Sequence, residues 1–296
     1  MKFDIKHHSQ RFIYKIFRLL KLHYISSKVR PDTHLFFYLV HLADKILSPR
    51  KRPSQELYKV LYLTRFGNAP LFKLDTEKPI ALDSDDHIWP RGTIADNSSN
   101  YKFNLKLYNF FRFRHDLKLL DLGCSGGGLV RSIIDDGYMA IGIEGSDISK
   151  KLRSAEWDTC IHHLFTADIT TTFRLTNTKG MNLYFQCISA WEVLEHISQD
   201  KLPVLFSNIY NHLADDGIFV GSIDMTPDGN PITGAIYHQT LKPEVWWLEQ
   251  FKQAGLEPVS INPFERLDYV RGHGQGLKDW DANEKEGFHV VLKKVN

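Results

Sequence analysis

The sequence predicts an α/β fold: a mainly parallel sheet with helices on both faces and its last strand antiparallel, preceded by a helical N-terminal extension. Three observations carry this expectation. From Leu117 onward, short apolar runs alternate with segments of helical period, the pattern of strands joined by crossover helices. A glycine cluster, Gly123-Cys124-Ser125-Gly126-Gly127-Gly128, follows the first apolar run and opens a helical segment. The last two apolar runs, 257–261 and 288–293, have no helix between them and so are expected to pair antiparallel.

The elements follow in chain order. Phe12, Ile13, Ile16, Phe17, Leu19 and Leu20, with Lys15, Arg18 and Lys21 between them, give a first helix. Pro31-Asp32-Thr33 breaks it and starts a second, which ends at Ser48-Pro49. A third helix is expected over 54–63. Residues 66–100, rich in Gly, Pro, Asp and Asn, read as loops and short strands. A helix at 101–111 leads into strand 117–122, helix 126–136, strand 139–143, helix 149–157 and strand 163–166. Then come strand 183–190, helix 202–213, strand 218–223, helix 243–254 and the two closing strands. The domain organisation read from this is a basic helical extension at 1–65, a linker or lid at 66–100, and a catalytic α/β domain at 101–296.

Composition excludes two classes. Apolar residues make up 43% and charged residues 24%, which argues against disorder as the main state. No apolar run approaches the ~20 residues that span a bilayer. The formal charge of +2 hides a split: residues 1–60 carry 13 Lys/Arg against 4 Asp/Glu, a net +9, and the rest carries −7. Cys124, Cys160 and Cys187 are too few and too scattered for a disulfide framework or a cysteine zinc site. With no secretory pattern at residues 1–21, a reducing, cytoplasmic location is expected.

The glycine cluster is the most informative segment. Asp121-Leu122-Gly123-Cys124-Ser125-Gly126-Gly127-Gly128 turns from strand to helix, letting the backbone approach a ligand closely and offering N–H donors. Glu144 lies at the end of the second strand, where an acid can hold two ribose hydroxyls; Asp168 lies at the end of the third, where an acid can take an adenine amino group. Taken singly, each acid could equally be a helix cap or a solvated turn. Gly123, Ser125, Gly128 and Glu144 also fit a dinucleotide fingerprint loosely. Asp121, just before the loop, suits a positively charged amino group better than a pyrophosphate.

These motifs resemble the class I S-adenosylmethionine (SAM)-dependent methyltransferases, a Rossmann-like fold. Residues 119–127 resemble their first motif, Glu144 their ribose acid, and Asp168-Ile169 their adenine-contacting pair, over roughly residues 100–296. The resemblance implies SAM as cofactor, with Asp121, Gly123, Ser125 and Gly127 at its methionine end. Ser125 stands where the family usually has its second glycine.

Residues 188–197, Ile-Ser-Ala-Trp-Glu-Val-Leu-Glu-His-Ile, place Glu192, Glu195 and His196 at i, i+3 and i+4, one face of a helix. Like charges converging in this way invite either a divalent metal such as Mg or a general base, His196, oriented by a glutamate. The metal version resembles the ubiquinone-pathway O-methyltransferases and the small-RNA 2′-O-methyltransferases, with His238 as the matching further ligand. The plainer alternative has Glu192 and His196 lining the pocket and Glu195 capping nearby, without metal. The Asn/Asp-Pro-Pro-aromatic turn of enzymes that methylate DNA-base amino groups is replaced by Ser189-Ala190-Trp191-Glu192, which favours oxygen as acceptor.

The expected function is therefore methyl transfer from SAM to an oxygen of a small molecule or sugar. An RNA 2′-O-methyltransferase and a SAM-binding protein without turnover are the alternatives. Residues 83–100 are expected to serve as a lid or a linker. The long 264–286 excursion is expected to cover the acceptor, with His273 as a further catalytic candidate. The basic N-terminal helices could face solvent, touch a membrane surface peripherally, or bind nucleic acid.

Overall fold

A computed structural model describes residues 55–84, 96–229, 234–272 and 286–295. The first two expected helices, residues 85–95 and the tract 273–285 with His273 lie outside the described residues. Two compact units divide the chain, the first covering residues 1–69 and 135–137. Its described helix, α1 (Gln55–Phe66), carries a tilted Tyr62–Phe66 ring pair one turn apart, at 4.9 Å.

The second unit holds a seven-stranded sheet. Its strands are β2 (Lys118–Leu122), β3 (Met139–Glu144), β4 (Leu164–Thr166), β6 (Phe185–Trp191), β7 (Leu213–Asp224), β8 (Leu256–Pro258) and β9 (Gly287–Lys294). The order is β4-β3-β2-β6-β7-β9-β8. All pairs are parallel except those of β9, which runs antiparallel to both β7 and β8. The expected architecture is therefore the observed one.

Side-chain alternation sorts the two faces. Leu120, Leu122, Ile141, Ile143, Ile188, Ala190 and Phe219 form one buried face, packed with α5 (Leu202–His212) and α6 (Glu244–Gln253), whose Phe206 and Phe251 rings meet at 4.8 Å. Trp191, of opposite parity, takes the edge-on contact of Phe103 from α2 (Tyr101–Phe110) at 5.2 Å. Every residue of β6 is buried, as expected of a central strand covered on both sides.

Several elements depart from the sequence expectation. The helix expected over 149–157 is interrupted. α4 (Ile148–Leu152) ends at Arg153, whose φ of +51° is left-handed, and a single 3₁₀ turn, Ala155–Asp158, follows. A separate two-stranded antiparallel sheet joins β1 (Phe72–Thr76) to β5 (Phe173–Asn177). Only short strands were expected around β1, and none at β5, where alternation is hidden by polar residues on the exposed face. β7 begins at Leu213, five residues before the expected strand start, with a register shift against β6 at Phe185–Cys187.

Candidate active site

The candidate site lies at the carboxyl ends of β2, β3, β4 and β6, the edge of an open α/β sheet where ligands bind. Asp121, near the end of β2, pairs with Gly142 of β3 and Ser189 of β6. Its carboxylate is buried and accepts a hydrogen bond from Ser189 Oγ at 2.7 Å. Burial pushes the Asp121 carboxyl up to about 7; the Ser189 bond opposes this, and the nearby Asp96 and Glu144 charges add to it.

The chain then turns through the glycine loop. Gly123 has φ +72°, and a Cβ there would collide with Val193. Ser125 also sits in the left-handed region, φ +50°, which a non-glycine residue rarely adopts. Three hydrogen bonds hold it there: its N–H donates to Glu144 Oε2 at 2.8 Å, its Oγ to the Asp96 carbonyl at 2.9 Å, and Trp157 Nε1 donates to its carbonyl at 2.8 Å. Ser125 thus fills the family's glycine position by being anchored. Gly127 turns the chain into α3 (Gly128–Asp135).

Glu144 ends β3 with its two oxygens accepting from the Ser125 and Ser146 N–H groups. Asp168 follows β4. Its Oδ1 accepts from Thr170 N–H at 2.9 Å and from the Thr170 hydroxyl, and its own N–H donates to the Lys78 carbonyl. Ile169 is buried, and its carbonyl accepts from Asn208 Nδ2. Asp121, Glu144 and Asp168 thus stand at three successive strand ends, where a cationic nucleoside fits their charge.

Residues 96–98 lie across the glycine loop. The Asp96 carbonyl accepts from Gly126 N–H at 3.0 Å, and Asn97 Nδ2 donates to Glu156 Oε1 at 3.1 Å. A Cβ on Gly128 would run into the Asn97 carbonyl. Residues 96–98 are therefore a segment that covers the glycine loop.

The Glu192-Val193-Leu194-Glu195-His196 segment is not the expected helix. Glu192 has φ +54°, and only Leu194–His196 form a 3₁₀ turn. The Glu192 N–H donates to the carbonyl and Oγ of Ser222 on β7, which fixes the turn. Glu192 parts from the other two in consequence. Glu192 Oε2 accepts from Arg271 Nη2 at 2.8 Å. Glu195 is fully buried, and its Oε1 accepts the Asp224 N–H at 3.0 Å.

Among the described residues, Glu195, His196 and His238 bring potential metal-ligand atoms within 4.8 Å of one another. Glu192, expected as a fourth ligand, is not in this group; its pairing with Arg271 accounts for that. The His196 and His238 rings meet edge-on at 4.7 Å, and His238 Nδ1 lies 2.5 Å from the Thr226 carbonyl. That contact makes Nδ1 the protonated nitrogen and Nε2 the basic one. His212 is a packing residue, stacked on Phe173 at 4.6 Å, with burial lowering its pKa. The three cysteines are buried thiols, and burial pushes those of Cys124 and Cys187 up.

The profile of a methyltransferase domain family matches residues 97–261, more than half of the sequence. The chain belongs to the methyltransferase domain family. Its reaction class is methyl transfer.

Among solved structures, a SAM-dependent methyltransferase from Clostridium acetobutylicum is 15% identical, covering 71% of this chain and 97% of its own, with a TM-score of 0.48. A TehB-like SAM-dependent methyltransferase from Corynebacterium glutamicum is 19% identical, covering 70% and 94%, at 0.45. The 1,6-didemethyltoxoflavin-N1-methyltransferase of Burkholderia thailandensis is 12% identical, covering 71% and 84%, at 0.44. At these identities and scores the likenesses say nothing of the acceptor. No curated protein matches the chain. No described helix is long and apolar enough to cross a membrane.

Sequence reasoning missed four residues of this site: Ser189, Ser222, Arg271 and, through its carbonyl, Asp96. Only Asp96 had a local signal, the turn-forming run Asp96-Asn97-Ser98. Its Oδ1 accepts the Ser98 N–H at 2.9 Å.

Proposed function

We propose that this methyltransferase domain, residues 101–296 with 66–100 as linker and lid, transfers the SAM methyl group to an acceptor oxygen of a small molecule, sugar hydroxyls included. The observation that carries the reading is Glu192: a carboxylate at the carboxyl end of β6, on a turn fixed by Ser222 and beside the acid-lined cofactor edge. SAM supplies an electrophilic methyl on a sulfonium sulfur. Asp121, with Gly123, Ser125 and Gly127, receives the methionine end; Glu144 receives the ribose; Asp168 and Ile169 receive the adenine. Glu192 takes the hydroxyl proton as the acceptor oxygen forms its bond to the methyl carbon and the carbon–sulfur bond breaks. Positioning in a site closed by residues 96–98 supplies most of the rate.

The test is incubation of the protein and methyl-labelled SAM with a metabolite extract. Mass spectrometry identifies the methylated species, and the NMR shift of the labelled methyl separates oxygen-bound from nitrogen-bound carbon. A nitrogen-bound product sinks the oxygen assignment. A product on RNA, sensitive to ribonuclease, favours the RNA reading, and SAM binding without any product favours a binding protein.

A second reading is favoured by the Glu195–His196–His238 group. A divalent metal there would be held by those three side chains, His196 among them, and would polarise an acceptor hydroxyl. Activity unchanged after thorough chelation removes it.

A further inference from the structure

We propose that Arg271 is a positioning residue for methyl transfer, its guanidinium joining the segment that covers the glycine loop to the acceptor-facing carboxylate. The inference rests on the roles just given to Glu192 and to residues 96–98.

Arg271 uses two different nitrogens for two different carboxylates. Nη1 pairs with Asp96 Oδ2 at 3.1 Å, and Nη2 pairs with Glu192 Oε2 at 2.8 Å. A planar fork fixes the separation of its two partners, which an ammonium cannot do. Asp96 in turn holds the loop: its carbonyl accepts from Ser125 Oγ and Gly126 N–H. Glu192 is held at its backbone by Ser222. Arg271 therefore spans from the loop that takes the methionine end to the group that takes the proton.

The arginine is itself braced. Its carbonyl accepts from His289 Nε2 at 2.8 Å, and the His289 ring stacks on Tyr269 at 3.9 Å with an interplanar angle of 4°. Asn100, the N-cap of α2, donates through Nδ2 to the carbonyls of Leu267, Asp268 and Tyr269. The segment before Arg271 is thereby tied to the covering segment at a second point.

A surface ion pair would contribute little, and this side chain is about one-third exposed, so pairing alone does not argue a role. What argues it is the identity of the partners. The guanidinium neutralises two of the acids crowding the site. Without it the Asp96 charge, which already pushes Asp121 towards its neutral form, is uncompensated, and a neutral Asp121 holds a cationic cofactor poorly.

The experiment is a double-mutant cycle on the full chain, read by calorimetric Kd for SAM and by Tm. Arg271→Ala is expected to weaken SAM about tenfold, and Arg271→Lys to recover only part of that. Asp96→Asn and Glu192→Gln are expected to be non-additive with Arg271→Ala. A purely structural arginine would lower Tm but leave the Kd of the folded protein alone. Wild-type-like Kd in Arg271→Ala, or fully multiplicative effects with Asp96→Asn, overturns the proposal while the cofactor reading stands. Failure of the wild type to bind SAM overturns both. If Arg271→Ala does not fold, Arg271→Lys replaces it in both cycles with the same criteria.

Discussion

Ser189 Oγ donates to Asp121 Oδ1 at 2.7 Å across two adjacent parallel strands, at positions paired in register. This bond holds the Asp121 carboxyl down against burial and its acidic neighbours. Ser189→Ala is therefore expected to raise the Asp121 pKa further and to weaken SAM by about five- to tenfold near neutral pH, a loss of about 1–1.5 kcal/mol. Calorimetry on the folded variant is the check; unchanged affinity would remove Asp121 from the cofactor site.

Asp121 also sets a pH dependence. Burial pushes its folded carboxyl up to about 7, against 3.8 for an ordinary aspartate. Between those values the native state keeps a proton that the unfolded chain has released. The stability contribution is thus fully present below the unfolded pKa and is lost as pH rises through about 7. Affinity for a cationic cofactor runs the other way. SAM binding is expected to tighten up to about tenfold per pH unit from about pH 5.5 to about pH 7. Asp121→Asn should flatten both profiles, as thermal melts and titrations across that range would reveal.

Two glycines separate close approach from backbone freedom. Gly128→Ala would drive a methyl group into the Asn97 carbonyl and within 2.9 Å of the Ser98 carbonyl. It is expected to lift the covering segment and cost at least tenfold in SAM affinity. Gly137, at φ +93°, has nothing within 4 Å of its would-be Cβ. Gly137→Ala should cost about 1 kcal/mol, a few degrees in Tm, with no change in Kd.

Glu195 distinguishes architecture from metal binding. Its carboxylate is buried and takes the Asp224 N–H, while the Glu195 carbonyl takes that of Thr240. Glu195→Ala is expected to lower stability by about 2 kcal/mol or more with or without chelator. His238→Ala should reduce activity only if a metal is used. Equal stability loss in the two variants would contradict this division.

Much of the fold was legible because parallel strands buried on both faces write continuous apolar runs. β2, β3 and β6 are such runs, and glycines stop the helices near them. β5 was not legible: Phe173-Arg174-Leu175-Thr176-Asn177 alternates too briefly to stand out. At the site, Asp121, Glu144 and Asp168 could be found because each follows its own strand. The partners Ser189 and Arg271 are 68 and 150 residues from Asp121 in the chain and meet it or its neighbours only through the fold. The helical reading of Glu192–His196 failed for a local reason, the left-handed Glu192, which no side-chain spacing reveals.

The basic first 60 residues suggest a peripheral role. Binding to vesicles of anionic phospholipid is expected at low salt, to fall steeply with added salt, and to vanish when the first 54 residues are removed. Cosedimentation is the measurement. Binding that survives the deletion would assign the contact elsewhere.

The Asp96 carbonyl on Gly126 N–H has a consequence for selectivity among the nucleotides of a cell. An amide at the mouth of a glycine loop is where a pyrophosphate would ordinarily be received, and here it is already occupied by the protein's own backbone. ATP or a nicotinamide dinucleotide would have to expel a carbonyl oxygen and then face Asp121 with like charge. Under the proposed function, residues 96–98 are expected to disfavour adenosine compounds with a negative tail, and competition of ATP against SAM in calorimetry is the check.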